Sequence, residues 1–304
     1  MGINYAIAKL APELTGDIAP WDYDSLERSK KIFDSNGFEL IGLEGDQFDM
    51  SRIKMGLPGR DEDISRYCDM LENMGKLNIT LLCYNFMAGI GWYRTNTTIV
   101  ERGGALVSGF NLEASEDTGF TDAGEISEAA IWEHYEYFLK RVMPAAEKAG
   151  VKMALHPDDP PVSPLRGIGR IFTSAAAIRR ALGMYNSSFH GLTFCQGTYT
   201  TMGENIFDLI SEFSDAKKIF FVHIRDVEGN SKNFRETFHD NGPTNMVEAF
   251  RAYHRAGFDG PLRSDHVPSM QGDSNTAFGY AMQGSLFGIG YLKGLMEATG
   301  IQSK

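Results

Sequence analysis

The sequence has few cysteines, no long hydrophobic run and fewer basic than acidic residues, and each shortage excludes a class of protein. Three cysteines in 304 residues are too few for a disulfide framework, so we expect reduced thiols and a cytoplasmic protein. No apolar stretch approaches the length of a membrane span, and the N-terminus lacks the basic start and apolar core of a signal peptide. With 40 acidic against 29 basic residues, the chain has no basic footprint for nucleic acid, whereas a small anionic substrate needs only local positive charge or a metal.

The sequence also lacks a Gly-rich dinucleotide-binding turn after its first predicted strand, which argues against a doubly wound open sheet. Short apolar segments instead alternate with amphipathic helices, and the composition does not change between the two halves of the chain. About eight such units predict a single α/β domain over residues 1–304, a (β/α)8 TIM barrel. The predicted strands, of which the seventh is the weakest, cover residues 3–8, 37–43, 78–85, 152–155, 190–197, 218–226, 234–239 and 260–268.

A long connection follows the third predicted strand. Residues 86–127 are rich in glycine, threonine, asparagine and acidic residues, and a connection of this length is either a functional lid or a disordered insertion. Trp92, Tyr93 and Arg94 lie near its start, where aromatic and guanidinium groups can hold a polar, anionic ligand. These residues favour an active-site lid inserted after the third strand.

The stretch at residues 153–161 ends an apolar strand at His156 and continues with Pro157, Pro160 and Pro161. Because proline cannot donate a backbone hydrogen bond, no helix can follow directly and the chain must turn away from the strand. The imidazole is thereby left at the strand end, where it is well placed to bind a metal. For a lone histidine, a satisfied residue in a structural turn is the ordinary alternative.

Other predicted strands also end at metal-binding groups, because Cys195, His223 and Asp265 each terminate a separate strand. The carboxyl ends of all strands in a barrel open onto one face, so these groups can meet His156 there. Two imidazoles, a thiolate and a carboxylate predict a site for Zn²⁺, Mn²⁺, Fe²⁺ or Co²⁺, since the thiolate argues against Mg²⁺ and Ca²⁺. Each residue has an ordinary structural explanation, but four coincidences at strand ends are less expected than one metal site. Glu44 ends a strand too, and we interpret it as part of a solvated loop.

Several of these strand ends belong to longer motifs, which are GLPGRD (56–61), CYNFM (83–87), WYRT (92–95), KMALHPDDPP (152–161), LTFCQG (192–197), FVHIR (221–225), FH (238–239), DH (265–266) and GY (279–280). Together they resemble the mannonate dehydratase family, from about residue 55 to the C-terminus. The resemblance implies a xylose-isomerase-like barrel that binds a divalent metal, usually Mn²⁺, through the matching positions His156, Cys195, His223 and Asp265.

The resemblance also implies a reaction and residues for it. His266 and Tyr280 are expected to carry out the acid/base steps that dehydrate D-mannonate to 2-keto-3-deoxy-D-gluconate, and the sequence does not decide which of them is the base. The substrate, a sugar acid, is expected to be held by Asn85, Arg94, His239 and Asp158. For Arg94 a solvated loop position is the alternative, and Asp158 alternatively orients His156 or belongs to an ordinary acidic turn.

One departure from the family concerns the substrate. The family's frequent Asp-His-Gly-Arg is replaced here by Asp265-His266-Val267-Pro268, so an arginine expected beside the site is absent. A dehydratase of a related aldonate, a metal-dependent sugar isomerase or epimerase on the same barrel, and a sugar-acid binding protein therefore stay open as alternatives. Barrels of this size commonly associate, so a homo-oligomer is compatible with the sequence.

Overall fold

A computed structural model describes residues 2–301 of the chain. Its strands are β1 (Tyr5–Ala8), β2 (Glu39–Glu44), β3 (Leu81–Tyr84), β4 (Asn96–Val100), β5 (Leu106–Asn111), β6 (Lys152–Leu155), β7 (His190–Cys195), β8 (Ile219–Ile224), β9 (Val227–Asn230), β10 (Asn233–Glu236) and β11 (Leu262–Ser264). Its α-helices are α1 (Pro12–Thr15), α2 (Tyr23–Ser35), α3 (Ser51–Lys54), α4 (Arg60–Lys76), α5 (Leu112–Glu116), α6 (Glu128–Ala149), α7 (Ala175–Met184), α8 (Gln196–Thr201), α9 (Ile206–Asp215), α10 (Met246–Arg255) and α11 (Met282–Thr299).

Seven strands form one parallel sheet in the order β1-β2-β3-β6-β7-β8-β11. Successive strands of this sheet are neighbours and are joined through helices, as parallel strands require. The sheet is curled, and a contact between distant strands shows this. Arg263 of its last strand reaches Glu44 at the end of its second strand, with 2.7 Å between Nη1 and Oε2. The predicted α/β class and the curled parallel sheet typical of a barrel are therefore confirmed.

The prediction of a barrel strand at residues 234–239 is wrong. β10, which begins this stretch, pairs antiparallel with β5 and with β9. The four strands β4-β5-β10-β9 form a second sheet, so the parallel sheet has seven strands within residues 2–301. An apolar strand pattern does not specify the partner strand, and the second sheet has its own small core of Phe110, Val162, Leu165, Val227 and Phe234.

The connection at residues 86–127 supplies β4, β5 and α5. β4 pairs with β5 in antiparallel fashion, and β5 also pairs with β10 from a distant part of the chain. These residues thus have regular secondary structure in the second sheet, next to the carboxyl end of β3.

The long helix α6 shows why the helical layer forms where the sequence predicts it. The Ser127 side chain accepts a hydrogen bond from the backbone N–H of Ala130 at the start, and Gly150 ends the helix in the left-handed conformation, with φ 70°. Its apolar face is buried against the core, as the helical spacing of Tyr135 and Phe138 predicts. No helix among the described residues is long and apolar enough to cross a membrane.

Side chains along the barrel strands alternate between the helix layer and the inside of the curled sheet. In β3, Tyr84 packs in the core beneath the helices, whereas Cys83 packs inside the sheet with Ala154 of β6. One further step along each strand places Asn85 and His156 on the inner side. The strand ends therefore direct their polar residues into the mouth of the sheet.

Candidate active site

Three of the predicted metal ligands lie together at this mouth. His156 follows β6, Cys195 ends β7 and His223 lies in β8, and one ligand atom of each lies within 4.8 Å of the others. Asp265 follows β11 and completes the group, since its Oδ2 lies 3.7 Å from Cys195 Sγ and 3.7 Å from His223 Nδ1. The structure thus brings together the four side chains that the sequence places at separate strand ends.

The protonation states of this group fit a cation site. Burial holds the pKa of His223 well below its ordinary value, and neither ring nitrogen of this enclosed imidazole has a hydrogen-bond partner among the described residues. A neutral imidazole with unpartnered nitrogens is the form that binds a metal. Burial also raises the pKa of the Cys195 thiol to about 11, so the thiolate needs a neighbouring positive charge. The donor set and the orphaned nitrogens of His223 therefore fit a borderline divalent ion.

His156 is oriented by the proline-rich turn that follows it. Its Nδ1 lies 2.6 Å from the carbonyl oxygen of Pro157, to which it donates, and this bond leaves Nε2 with the free lone pair. Its ring centroid lies 5.1 Å from that of His223. The next helix begins only at Ala175, as the prolines predict.

Asp265 is ionised in spite of its burial. Burial opposes its charge, but His266, His223, Arg263 and Arg225 together hold its pKa well below the ordinary value. A carboxylate is therefore available beside the thiol and the two imidazoles.

Glu44 belongs to the site, although we interpreted it as a solvated strand end. Its Oε1 lies 3.7 Å from His223 Nε2, and its carboxylate is bound by Arg263. Burial, opposed by Arg263, raises the pKa of Glu44. The alternation of side chains along β2 could have indicated this position. Leu43 packs in the core beneath the helices, so the next residue, Glu44, points to the inside of the sheet.

The two predicted acid/base residues lie beside the metal group. His266 Nδ1 lies 3.0 Å from Glu236 Oε1, and His266 Nε2 lies 3.8 Å from Asp265 Oδ1. Trp92 packs on the His266 ring at 4.5 Å between centroids, and the Tyr280 ring lies 5.5 Å from it at a steep angle. Tyr280 is 50% exposed, so it faces the open side of the site.

A buried ionic network supports this arrangement. Arg94 donates to both oxygens of Asp159, at 2.7 and 2.9 Å, and to Glu236 at 2.6 Å. Arg225 donates to Asp159 at 2.8 Å and to Glu236 at 3.0 Å, and its Nε lies 3.2 Å from Asp265 Oδ2. Two arginines and two carboxylates thus alternate in a closed cluster that touches both His266 and Asp265.

The remaining predicted substrate residues have different surroundings. Asn85 is half-buried, and its Oδ1 accepts from Lys54 Nζ at 2.8 Å. Asp158 is buried and accepts from the Phe172 backbone N–H, while buried His239 donates from Nε2 to the carbonyl oxygen of Ile224 at 2.9 Å. Asn85 alone of these is partly open.

Sequence reasoning missed Glu236 and gave Arg225 no role. Glu236 lies on β10, the strand that we assigned to the wrong sheet, so its proximity to His266 could not be inferred. Arg225 did offer a signal, because it lies two residues after His223 and so shares its inward direction.

A curled parallel sheet with ionisable groups gathered at its carboxyl ends defines the class of TIM-barrel enzymes. The sequence model of the D-mannonate dehydratase (UxuA) family matches residues 2–123 and 117–304. Mannonate dehydratase of Streptococcus uberis is 32% identical over 306 residues, covering 92% of this chain and 87% of the relative. Mannonate dehydratase 2 of Halalkalibacterium halodurans is 34% identical and covers 92% of this chain and 88% of the relative. The chain belongs to the D-mannonate dehydratase family, which confirms the resemblance of its motifs.

Solved structures agree with this assignment. Mannonate dehydratase from Streptococcus suis serotype 2 superposes with a TM-score of 0.89 at 28% identity, covering all of this chain and 90% of that chain. A 3-keto-D-glucoside 4-epimerase from E. coli superposes with a TM-score of 0.62 at 11% identity over 96% of this chain and 99% of that chain. The second likeness concerns the fold alone.

Proposed function

We propose that this site removes water from D-mannonate to form 2-keto-3-deoxy-D-gluconate, as a hydro-lyase. The observation that carries the proposal is the position of His266, which is hydrogen-bonded to Glu236 and lies against the metal-site carboxylate in a chain of the D-mannonate dehydratase family. Dehydration of an aldonate needs a base at the carbon next to the carboxylate and an acid at the neighbouring hydroxyl. Both kinds of group lie beside the proposed metal site.

The proposed metal is a divalent ion held by His156, Cys195, His223 and Asp265, with Mn²⁺ favoured and Fe²⁺, Co²⁺ and Zn²⁺ compatible with the donor set. When bound there, such an ion supplies Lewis-acid polarisation of substrate oxygens. Arg225 and Arg263 form ion pairs with Asp265, and these ion pairs orient its carboxylate independently of a bound ion.

His266 is the proposed base. Arg225, His266 and Arg94 outweigh the effect of burial and lower the pKa of Glu236 to about 2, so this carboxylate is ionised. An ionised partner accepts the Nδ1–H of His266 and leaves a lone pair on Nε2, which points toward the metal group. Nε2 then takes the proton from the carbon next to the substrate carboxylate.

Tyr280 is the proposed acid. Desolvation and then the Asp265 carboxylate raise the pKa of Tyr280, so its phenol keeps the proton that a leaving hydroxyl needs. The electron pair of the broken C–H bond forms a C=C bond, and the hydroxyl of the neighbouring carbon departs as water with the proton of Tyr280. The enol then gives its hydroxyl proton to the tyrosinate and receives a carbon-bound proton from His266, which restores both residues.

The residues around the substrate have separate proposed roles. Asn85, at the inner rim, contacts a substrate oxygen. The Arg94 side chain is 0% exposed, and both its Nη groups are engaged by carboxylates, so we assign it to holding Glu236 and Asp159 instead of the substrate. His239 and Asp158 are also buried, and we assign them to holding the backbone at Ile224 and Phe172 through their hydrogen bonds instead of to binding the substrate. Residues 86–127 carry Trp92 over His266, the position of an active-site lid.

The three thiols are free, which is compatible with the proposed cytoplasmic setting. A homo-oligomer stays a prediction from the size of the barrel.

A metal-dependent sugar isomerase or epimerase is the second candidate, because Val267 and Pro268 replace the family's Gly-Arg beside the site. Pro268, at the position of the family's arginine, is buried and carries no charge. Without this arginine a substrate carboxylate must be bound in another way. A ketose has no carboxylate and would not need the arginine.

An assay of D-mannonate, related aldonates and the corresponding sugars with added Mn²⁺ under anaerobic conditions, followed by chromatography and mass spectrometry, separates the candidates. We expect D-mannonate to lose the mass of one water molecule, and His266→Asn to abolish this change while the bound metal is retained. A mass-neutral conversion of a sugar would support the isomerase or epimerase, and binding without any conversion would contradict both enzymes.

A further inference from the structure

Lys54, at the end of α3, is an enclosed lysine that the proposed chemistry leaves unused. It is 2% exposed, and its Nζ donates to both oxygens of Asp46, at 2.6 and 2.9 Å, and to Asn85 Oδ1 at 2.8 Å. Asp46 lies just after β2 and Asn85 just after β3, so the ammonium group joins the carboxyl ends of two barrel strands. Burying a lysine costs free energy unless its charge is paired, which the Asp46 carboxylate accomplishes.

Lys54 also donates to Asn85, a neutral residue, and this hydrogen bond is not needed to neutralise the charge of Lys54. Asn85 Oδ1 accepts a second hydrogen bond from the backbone N–H of Met87 at 3.1 Å. An ammonium group and a backbone N–H are both donors, so only the carbonyl oxygen of the amide can face them. The orientation of the Asn85 side chain is therefore fixed by Lys54 and Met87, and its Nδ2 group is directed away from them. Among residues 2–301, the hydrogen bonds of the Asn85 side chain are formed by Oδ1 and none by Nδ2.

Asn85 lies directly beside the metal group. Tyr84 pairs with Leu155 in the sheet, and the backbone N–H of His156 donates to the carbonyl oxygen of Tyr84 at 2.7 Å. Asn85 and His156 are thus neighbours at the ends of adjacent strands, and the alternation of side chains directs both inward. The Asn85 side chain, which is partly exposed, is therefore on the same side of the sheet as the metal group.

We propose that Lys54 is a positioning residue that fixes the Asn85 amide with its donors toward the substrate, so that this subsite accepts a hydroxyl or carboxylate oxygen of the sugar acid. The inference rests on the proposed function and assigns the polarity of one of its subsites. Lys54 does not touch the substrate; it acts through Asn85. Without Lys54, the amide loses one of the two bonds that set its orientation.

The test is steady-state kinetics on D-mannonate with the Mn²⁺-loaded protein and five variants. Lys54→Met and Asn85→Leu should each raise KM about tenfold, the effect of one lost hydrogen bond, with kcat within about twofold of the wild type. The double variant should show the same tenfold rise, because both changes remove one contact. Asn85→Asp keeps an acceptor for Lys54 but replaces the amide donors by an oxygen, so it should also raise KM.

A fifth variant separates positioning from charge neutralisation. Asp46→Asn combined with Lys54→Met removes the ion pair as a unit, which should restore thermal stability lost in Lys54→Met while KM stays raised. Unchanged KM in Lys54→Met or in Asn85→Asp, or a hundredfold rise in the double variant, would overturn the proposal. Inactivity of the wild-type protein would instead contradict the proposed function, so the two failures are distinguishable. Metal content, measured on every sample, should not change.

Discussion

At the scale of single residues, the central pair is Glu236 and His266. A carboxylate that accepts from Nδ1 selects the tautomer in which Nε2 is the base, so Glu236 acts on the reaction through His266. Glu236→Gln keeps the size of the side chain and removes its charge. We expect kcat to fall about 10²–10⁴-fold with KM and metal content unchanged, by analogy with other carboxylate–imidazole pairs. A fall confined to KM would show that Glu236 serves binding instead of proton transfer.

The residues at strand ends were predictable because each position can be inferred from the neighbouring sequence alone. His156, Cys195, His223 and Asp265 follow or end apolar segments, and parallel strands bring such ends to one face whatever their separation in sequence. Glu236 was not predictable for the opposite reason. Its partners His266 and Arg94 lie 30 and 142 residues away, and nothing in the sequence pattern indicates these pairings.

At the scale of structural elements, the buried ionic network connects the second sheet to the barrel. β10 carries Glu236, the connection before β4 carries Arg94, and the turn after β6 carries Asp159. The strand pattern at residues 234–239 was recognised, but its sheet was not, because pairing with β5 and β9 is a tertiary choice. The network thus connects the barrel to β10, which the sequence pattern wrongly predicts to be a barrel strand.

Removing Arg94 should therefore destabilise the protein far more than removing an exposed arginine. Arg94→Met leaves Asp159 and Glu236 with one arginine between them in a buried setting, which should cost about 3–5 kcal/mol of unfolding free energy. Arg179→Met is the matched control, because Arg179 makes a two-pronged but exposed pair with Glu212 and should cost about 1 kcal/mol or less. Urea unfolding of both variants gives the comparison, and equal losses would contradict the role of the network.

At the scale of the whole molecule, the fold explains why residues from every part of the chain meet. In the described part of the chain, the parallel strands deliver the proposed ligands and Asn85 to one mouth, the second sheet supplies Glu236, and the connection before β4 supplies Trp92. The family is clear from 32% identity over most of the chain, whereas Val267 and Pro268 differ from the Gly-Arg that the resemblance of the motifs leads us to expect. We therefore expect substrate specificity to be the property that this difference affects most.

We propose that dehydration of D-mannonate depends on one divalent ion held at the four strand ends. The most direct test removes the metal with a chelator, returns Mn²⁺ in measured amounts and follows the loss of water from D-mannonate. We predict that turnover disappears on chelation and returns in proportion to bound Mn²⁺, up to one ion per chain. Undiminished turnover by protein shown to be metal-free would contradict the dependence on the ion, and full metal retention by Cys195→Ala would contradict the ligand assignment.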